Sequence, residues 1–301
     1  MKSILILGSE GFIGNQLTKY FLEKGYAIAG CDLFESPRET GGNYFQISRL
    51  YPEWEEIFSK HKFDYCINAA GNGNPNYSMT QPLFDFESNT LDTVRLLDII
   101  RNQNSACKYL HISSAAVYGN PVILPVKEDS KLQPLSPYGW HKLMSEQVCN
   151  EYSNIFQIQT AVVRPFSVYG PGLKKQLFWD VYQKILVNKE HIELWGTGNE
   201  SRDFIYIEDL AHAIETVMGS ISAEFQIFNV ASGIETTIQE AINIFIQTLG
   251  SKTTVEFNQR TREGDPINWR ADISAIKKLG FEPKLSLKEG LEQVGKWFLS
   301  L

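Results

Sequence analysis

The 301-residue chain is 43% hydrophobic and 21% charged, enough apolar material for the core of one large or two modest domains. Its formal net charge of -7 argues against nucleic acid or an anionic membrane as the main partner. Four scattered cysteines without CxxC spacing and five histidines without HxxxH spacing speak against a metal centre and for a reducing, cytoplasmic setting.

Ser3–Leu7 is a continuous apolar run, as in a strand buried on both faces, and too short for the core of a secretory leader. Phe12–Glu23 has helical spacing, and residues 26–31 are apolar again up to Asp32. Residues 65–70 and 109–112 read as further strands. Between them, Leu91, Val94, Leu97 and Ile100 share one face of a helix over residues 91–100. A helix over 138–152 and a strand over 160–163 follow. Repeated βα units of this kind predict an α/β fold, a Rossmann-type doubly wound parallel sheet with right-handed crossovers. After Pro165 the rhythm changes: Gly170-Pro171-Gly172 and Gly196-Thr197-Gly198-Asn199 are turn signals around a helix at Gln176–Val187. Short strands such as 225–230 then mix with helices such as Ile238–Thr248. The expected division is a dinucleotide-binding domain over residues 1–165, with later segments returning to it, and a smaller mixed α/β substrate domain over 166–301. No run approaches the roughly 20 apolar residues of a membrane span.

Gly8-Ser9-Glu10-Gly11-Phe12-Ile13-Gly14 lies between the first strand and the first helix. Glycine there permits a tight turn, lets backbone N–H groups approach a pyrophosphate, and allows close helix–strand packing. Asp32 ends the second strand at about the ~20-residue distance of a ribose-binding acid. Its carboxylate suits the adenosine ribose of NAD and would repel the extra phosphate of NADP; capping a turn is the alternative.

The glycine spacing, Gly-x-x-Gly-x-x-Gly, resembles that of the extended short-chain dehydrogenases/reductases, a branch rich in nucleotide-sugar enzymes, and the resemblance spans nearly the whole chain. Tyr138-Gly139-Trp140-His141-Lys142 matches the family's YxxxK motif, in which residues four apart share a helix face. A free phenol has a pKa of about 10, and a neighbouring ammonium together with a positive nicotinamide ring would favour its anion. His111-Ile112-Ser113-Ser114-Ala115-Ala116-Val117-Tyr118-Gly119 is similar to the family's serine segment, with Ser114 in the catalytic position. The resemblance implies catalytic roles for Ser114, Tyr138 and Lys142. It implies NAD contacts from Gly8, Gly11, Phe12, Ile13, Gly14, Asp32, Leu33, Ala69, Ala70, Gly71, Asn89, Tyr138, Lys142 and Pro165. For Asn89, capping the next helix is an equal contender.

Arg164-Pro165-Phe166-Ser167-Val168-Tyr169-Gly170 and the segment from Arg202-Asp203-Phe204 to Asp209-Leu210-Ala211 resemble the family's substrate-domain segments, and Arg262-Glu263-Gly264-Asp265 resembles the REGD motif of UDP-galactose 4-epimerases. They imply contacts of Ser114, Tyr138, Ser167, Arg202, Arg262 and Asp265 with a nucleoside-diphosphate sugar, the arginines offering planar forks to phosphate oxygens. Gln46-Ile47 and Ser167 depart from that pattern, which has Asp and Asn there. Dehydratases carry an acid/base pair after the catalytic Ser/Thr, whereas Ala115-Ala116 can move no proton. The resemblance therefore implies an NAD-dependent epimerase working through a transient 4-keto sugar. An NAD(P)H-dependent 4-keto-sugar reductase in deoxysugar biosynthesis stays open as the alternative. It also implies a homodimer.

Overall fold

In this computed structural model residues 1–38, 42–50, 52–260 and 266–301 are described. The chain opens with β1 (Ser3–Leu7), α1 (Phe12–Glu23), β2 (Ala27–Asp32), β3 (Asn43–Gln46), α2 (Trp54–Lys60) and β4 (Tyr65–Asn68). Two short helices, α3 (Pro75–Thr80) and α4 (Pro82–Phe86), lead through a π turn at Glu87–Leu91 into α5 (Asp92–Gln103). β5 (Lys108–Ile112) ends at a single 3-10 turn, Ala115–Tyr118, ahead of α6 (Pro137–Phe156) and β6 (Thr160–Pro165). Next come β7 (Ser167–Tyr169), α7 (Gln176–Val187), β8 (His191–Leu194), β9 (Ser201–Tyr206), α8 (Ile207–Ser220) and β10 (Gln226–Val230). The chain finishes with β11 (Glu235–Thr237), α9 (Ile238–Thr248), β12 (Thr254–Phe257), α10 (Ser274–Lys277) and α11 (Leu287–Leu299).

Seven strands form one parallel sheet in the order β10-β6-β5-β4-β1-β2-β3. Its central strands are apolar on both faces because helices cover both. Ile4 and Ile6 join the core beneath α1 and α8, whereas Leu5 and Leu7 join the core beneath α2, α5 and α6. The chain runs outward from β1 to β3, then crosses to β4 on the other side of β1. That reversal opens a crevice at the carboxyl ends of β1 and β4, the place where such sheets bind ligands. β10, from the second half of the chain, pairs with β6 and completes the sheet. A mixed three-stranded sheet, β11-β9-β7, and a parallel pair, β12-β8, make up the smaller region. Among the described residues no helix is long and apolar enough to cross a membrane.

Helix starts follow local chemistry. Ser136 caps α6 by accepting from Gly139 N–H, with Pro137 at the first position. Ser286 and Glu289 form a reciprocal capping box on α11. α3 and α4 each begin at a proline, which is why a helix pattern read from apolar spacing does not register these short pieces.

Candidate active site

Gly8 adopts φ +73°, and a Cβ there would lie 2.8 Å from Ala69 O and from the Ala70 backbone. The glycine loop thus packs directly on the end of β4, bringing Ala69 and Ala70 to it. A Cβ on Gly14 would meet Gly8 O at 2.0 Å, so the first turn of α1 can sit this close to the loop only with glycine. Gly11 precedes α1 without a side-chain cap, leaving the first-turn N–H groups free of any capping side chain. A backbone cradle at an uncapped helix start fits the pyrophosphate of a dinucleotide. Phe12 and Ile13 are half-buried at that start, and a Cβ on Gly172 would rest 3.7 Å from the Phe12 ring.

Asp32 ends β2, where its carboxylate accepts from Glu10 N–H at 2.8 Å and Leu33 N–H at 2.7 Å. The turn-capping role is therefore present, and each oxygen keeps a lone pair for a ribose hydroxyl. Leu33 itself is exposed. Gly71, at φ +105°, abuts Asn89: a Cβ would come within 2.5 Å of Asn89 Oδ1. Asn89 does not cap a helix. It lies inside the π turn, with the chain helical on both sides, and its Nδ2 donates to Asn72 O and Asp85 O. Among the described residues its buried Oδ1 has no hydrogen-bond partner, an acceptor that a bound group could satisfy. Pro165 ends β6, opposite Val230.

Ser114, Tyr138 and Lys142 converge at the end of β5. Ser114 caps the 3-10 turn by accepting from Ala116 N–H at 3.1 Å. Its hydroxyl also acts on the Tyr138 phenol, pulling the phenol's pKa down. Tyr138 occupies the first turn of α6, and its N–H donates to Ser78 Oγ at 3.0 Å, so α3 holds it in place. Lys142 lies one turn on, with Nζ 6.0 Å from the Tyr138 ring centroid and 3.0 Å from Ile112 O, to which it donates. The sequence reading expects Lys142 and a bound, positive nicotinamide ring together to favour the phenolate. In the free chain burial raises the Tyr138 pKa, and the Ser114 hydroxyl only partly offsets it. Burial also lowers Lys142 to about 8, against the opposing pull of Asp85 and Glu146.

Beneath these groups runs a buried network that the motifs do not reveal. Ser113 Oγ donates to Glu146 Oε1 at 2.5 Å, and Glu146 takes two hydrogen bonds from Arg164, at 3.0 and 2.6 Å. Arg164 donates onward to Tyr118 Oη and Glu128 O, and Tyr118 to Asn229. An arginine inside the otherwise apolar strand Thr160–Pro165 was the available signal, because a buried guanidinium requires a partner.

The substrate residues are less gathered. Ser167 opens β7 opposite Phe204. Arg202, on β9, donates to Ser201 O and Ile267 O, with its guanidinium 5.7 Å from the Trp269 ring centroid. Asp203 does not pair with it. Its carboxylate instead accepts from Ser232 N–H and Oγ, Gly233 N–H and Ala271 N–H. Burial pushes Asp203 up to about 6. Trp269 Nε1 donates to Gly119 O, which ties this segment back to the Ser114 turn. Arg262 and Asp265 lie outside the described residues.

Glycine loop, Ser–Tyr–Lys set and switch point lie together at the carboxyl edge of a doubly wound sheet, an arrangement that suits a dinucleotide. The chain belongs to the NAD dependent epimerase/dehydratase family, whose sequence pattern matches residues 4–231, and NAD is that family's cofactor. It is similar to the UDP-glucose 4-epimerase of Mycolicibacterium smegmatis, 27% identical over 98% of this chain and 97% of that protein. Another relative, the UDP-glucuronate 4-epimerase of Thermodesulfobacterium geofontis, is also 27% identical, with 97% and 95% covered. Two solved structures resemble it at 25% identity over 99% of both chains. They are the UDP-glucose 4-epimerase of Thermotoga maritima with UDP-glucose, TM-score 0.90, and the UDP-glucuronic acid 4-epimerase of Bacillus cereus with UDP-glucuronic acid and NAD, TM-score 0.89.

Proposed function

We propose that the chain is an NAD-dependent epimerase that inverts C4 of a nucleoside-diphosphate sugar, with UDP sugars as its substrates. The observation that carries this reading is the Ser114–Tyr138–Lys142 set beside a turn that offers no second acid or base: Ala115 is fully buried, and a Cβ on Gly139 would lie 2.8 Å from Ala116 O. Bound NAD supplies a reversible hydride acceptor at this edge of the sheet. Tyr138 takes the proton of the C4 hydroxyl as hydride leaves C4 and returns it after the sugar has turned over. Ser114 hydrogen-bonds the same oxygen and holds it against the phenol, and Lys142 balances charge on the phenolate. Asp32 holds the adenosine ribose, and Gly8, Gly11 and Gly14 admit the pyrophosphate. Arg202, with Arg262 and Asp265, takes the sugar nucleotide, and Ser167 lies along its path.

The same reading divides the chain into a nucleotide domain over 1–165, completed by β10, and a substrate region over the remainder. The four cysteines, all buried and free, support a reducing, cytoplasmic setting. Exposed Trp140 and Met144 on α6 support a homodimer through that helix. A panel of UDP-, GDP-, CDP- and dTDP-sugars, followed by NMR with absorbance monitored for NADH, tests the function. Interconversion of C4 epimers without added NADH is expected. Stoichiometric NAD(P)H oxidation with a 4-keto sugar would make the enzyme a reductase and overturn the proposal.

A further inference from the structure

We propose that Asp85 and His141 form a charge-setting pair for the proton-transfer site, in which Asp85 is the buried counter-charge of Lys142 and His141 holds it there. His141 is the residue immediately before Lys142 on α6, and its Nδ1 lies 2.5 Å from Asp85 Oδ2. Asp85, on α4, is fully buried, and its other oxygen accepts from Asn72 Nδ2 at 2.6 Å. With Asp85 ionised, Nδ1 carries the proton and donates it.

The arrangement is fixed on every side. The His141 carbonyl accepts from Thr90 Oγ1 and Ser145 Oγ, and its ring packs edge-on to Phe86 at 5.5 Å. The polar and charged groups facing the pair and Lys142 are Asn72 after β4, Tyr138 and Glu146 on α6, and His111 on β5, which burial holds neutral. On the outer side Arg49 lies over Phe84 of α4 and pairs with Asp92. Among the described residues Lys142 makes no direct carboxylate contact, and its Nζ donates to the Ile112 carbonyl.

A carboxylate without solvent is costly unless it is paired. Its hydrogen bonds to His141 and Asn72 keep it in place while its charge acts through space on Lys142 and Tyr138. It raises both pKa values, opposing burial at Lys142 and keeping the proton on Tyr138 until the site is loaded. His141 holds the carboxylate in place through the 2.5 Å contact of its Nδ1 with Asp85 Oδ2. This rests on the proton-transfer roles proposed above for Tyr138 and Lys142, so one arm of the test uses the free protein.

Removing one partner of a buried pair can unfold a chain, so the informative variants are His141→Asn and the double variant Asp85→Asn/His141→Asn, which keeps an amide–amide hydrogen bond. In the free protein with 15Nζ-labelled lysines, the Lys142 resonance (assigned by its loss in Lys142→Met) is expected to titrate at lower pH in the double variant than in wild type. In His141→Asn, which keeps the Asp85 carboxylate, it should not move down. In turnover, the basic limb of the kcat–pH profile should move to lower pH in the double variant alone. The loss there should be about fivefold at pH 8, shrink toward pH 6.5, and leave the KM for the sugar nucleotide unchanged. An unmoved Lys142 titration in the free double variant overturns the pair. So does an equal loss at every pH, or the same downward shift in His141→Asn. A moved titration with no effect on turnover would instead tell against the catalytic role of Lys142.

Discussion

Lys142 pays for its position. Folding lowers it from 10.5 to about 8, so the buried ammonium is a liability below that pH. The unfolded chain binds this proton more tightly. Its contribution to stability is therefore lost as pH falls from 10.5 toward 8, and the deficit is complete below 8. Lys142→Met should stabilise the free protein by about 1–2 kcal/mol at pH 7, after allowing for the lost bond to Ile112 O, while ending turnover. Calorimetry at pH 7 and pH 10 checks the sign: the gain should shrink at the higher pH. Tyr138→Phe removes only the proton carrier. It should lower kcat by roughly 10²–10⁴-fold while NAD affinity, measured by calorimetry, changes little. Lost NAD binding with retained turnover would refute its role. Motif matching finds these residues readily, because four-residue spacing on a helix is a local property. The direction of the Tyr138 shift was not legible, because it depends on how much of the sheet edge closes over the phenol.

At the scale of elements, β5, α6 and β6 are locked by Ser113, Glu146 and Arg164. With side chains only 1% and 2% exposed, Glu146 and Arg164 form a pair whose loss leaves an uncompensated buried charge. Glu146→Gln should cost roughly 3–5 kcal/mol, read as a lower urea midpoint at unchanged slope. A Cβ at Gly14 would be forced to within 2.0 Å of Gly8 O, so Gly14→Ala should lower Tm and abolish dinucleotide binding, measured by calorimetry. The bounds of α1, α7 and α9 follow directly from apolar period and turn residues, because both act over a few neighbours. β3 does not stand out in the apolar pattern, although the family resemblance puts a third strand-like segment just before Gln46-Ile47: four residues with polar ends on a sheet edge carry little periodic signal. The π turn around Asn89 went unseen too, since continuous helical spacing does not reveal one extra residue in a turn.

Across the whole molecule, the first half of the chain does not complete its own sheet. β6 gains its outer partner from β10, and α1 is covered by α8. A fragment of residues 1–165 would expose the edge of β6, whose every residue is buried, together with the α8 side of the core. It should lack cooperative unfolding and fast-exchange its amides, as hydrogen exchange would record; a stable fragment would instead mark 1–165 as an independent domain. Sequence by itself determined the parallel βα order, the glycine loop ahead of α1, the acid ending β2 and the helical Tyr138–Lys142 pairing, because each is written in residues close along the chain. Only the tertiary structure decided that Asp85 meets His141 across 56 positions, that Glu146 and Arg164 lie under Ser113, and that the returning segment is β10, placed beside β6. Those contacts join residues distant in the chain, and the energy that selects them, desolvated charge against a matching partner, exists only once the fold has excluded water.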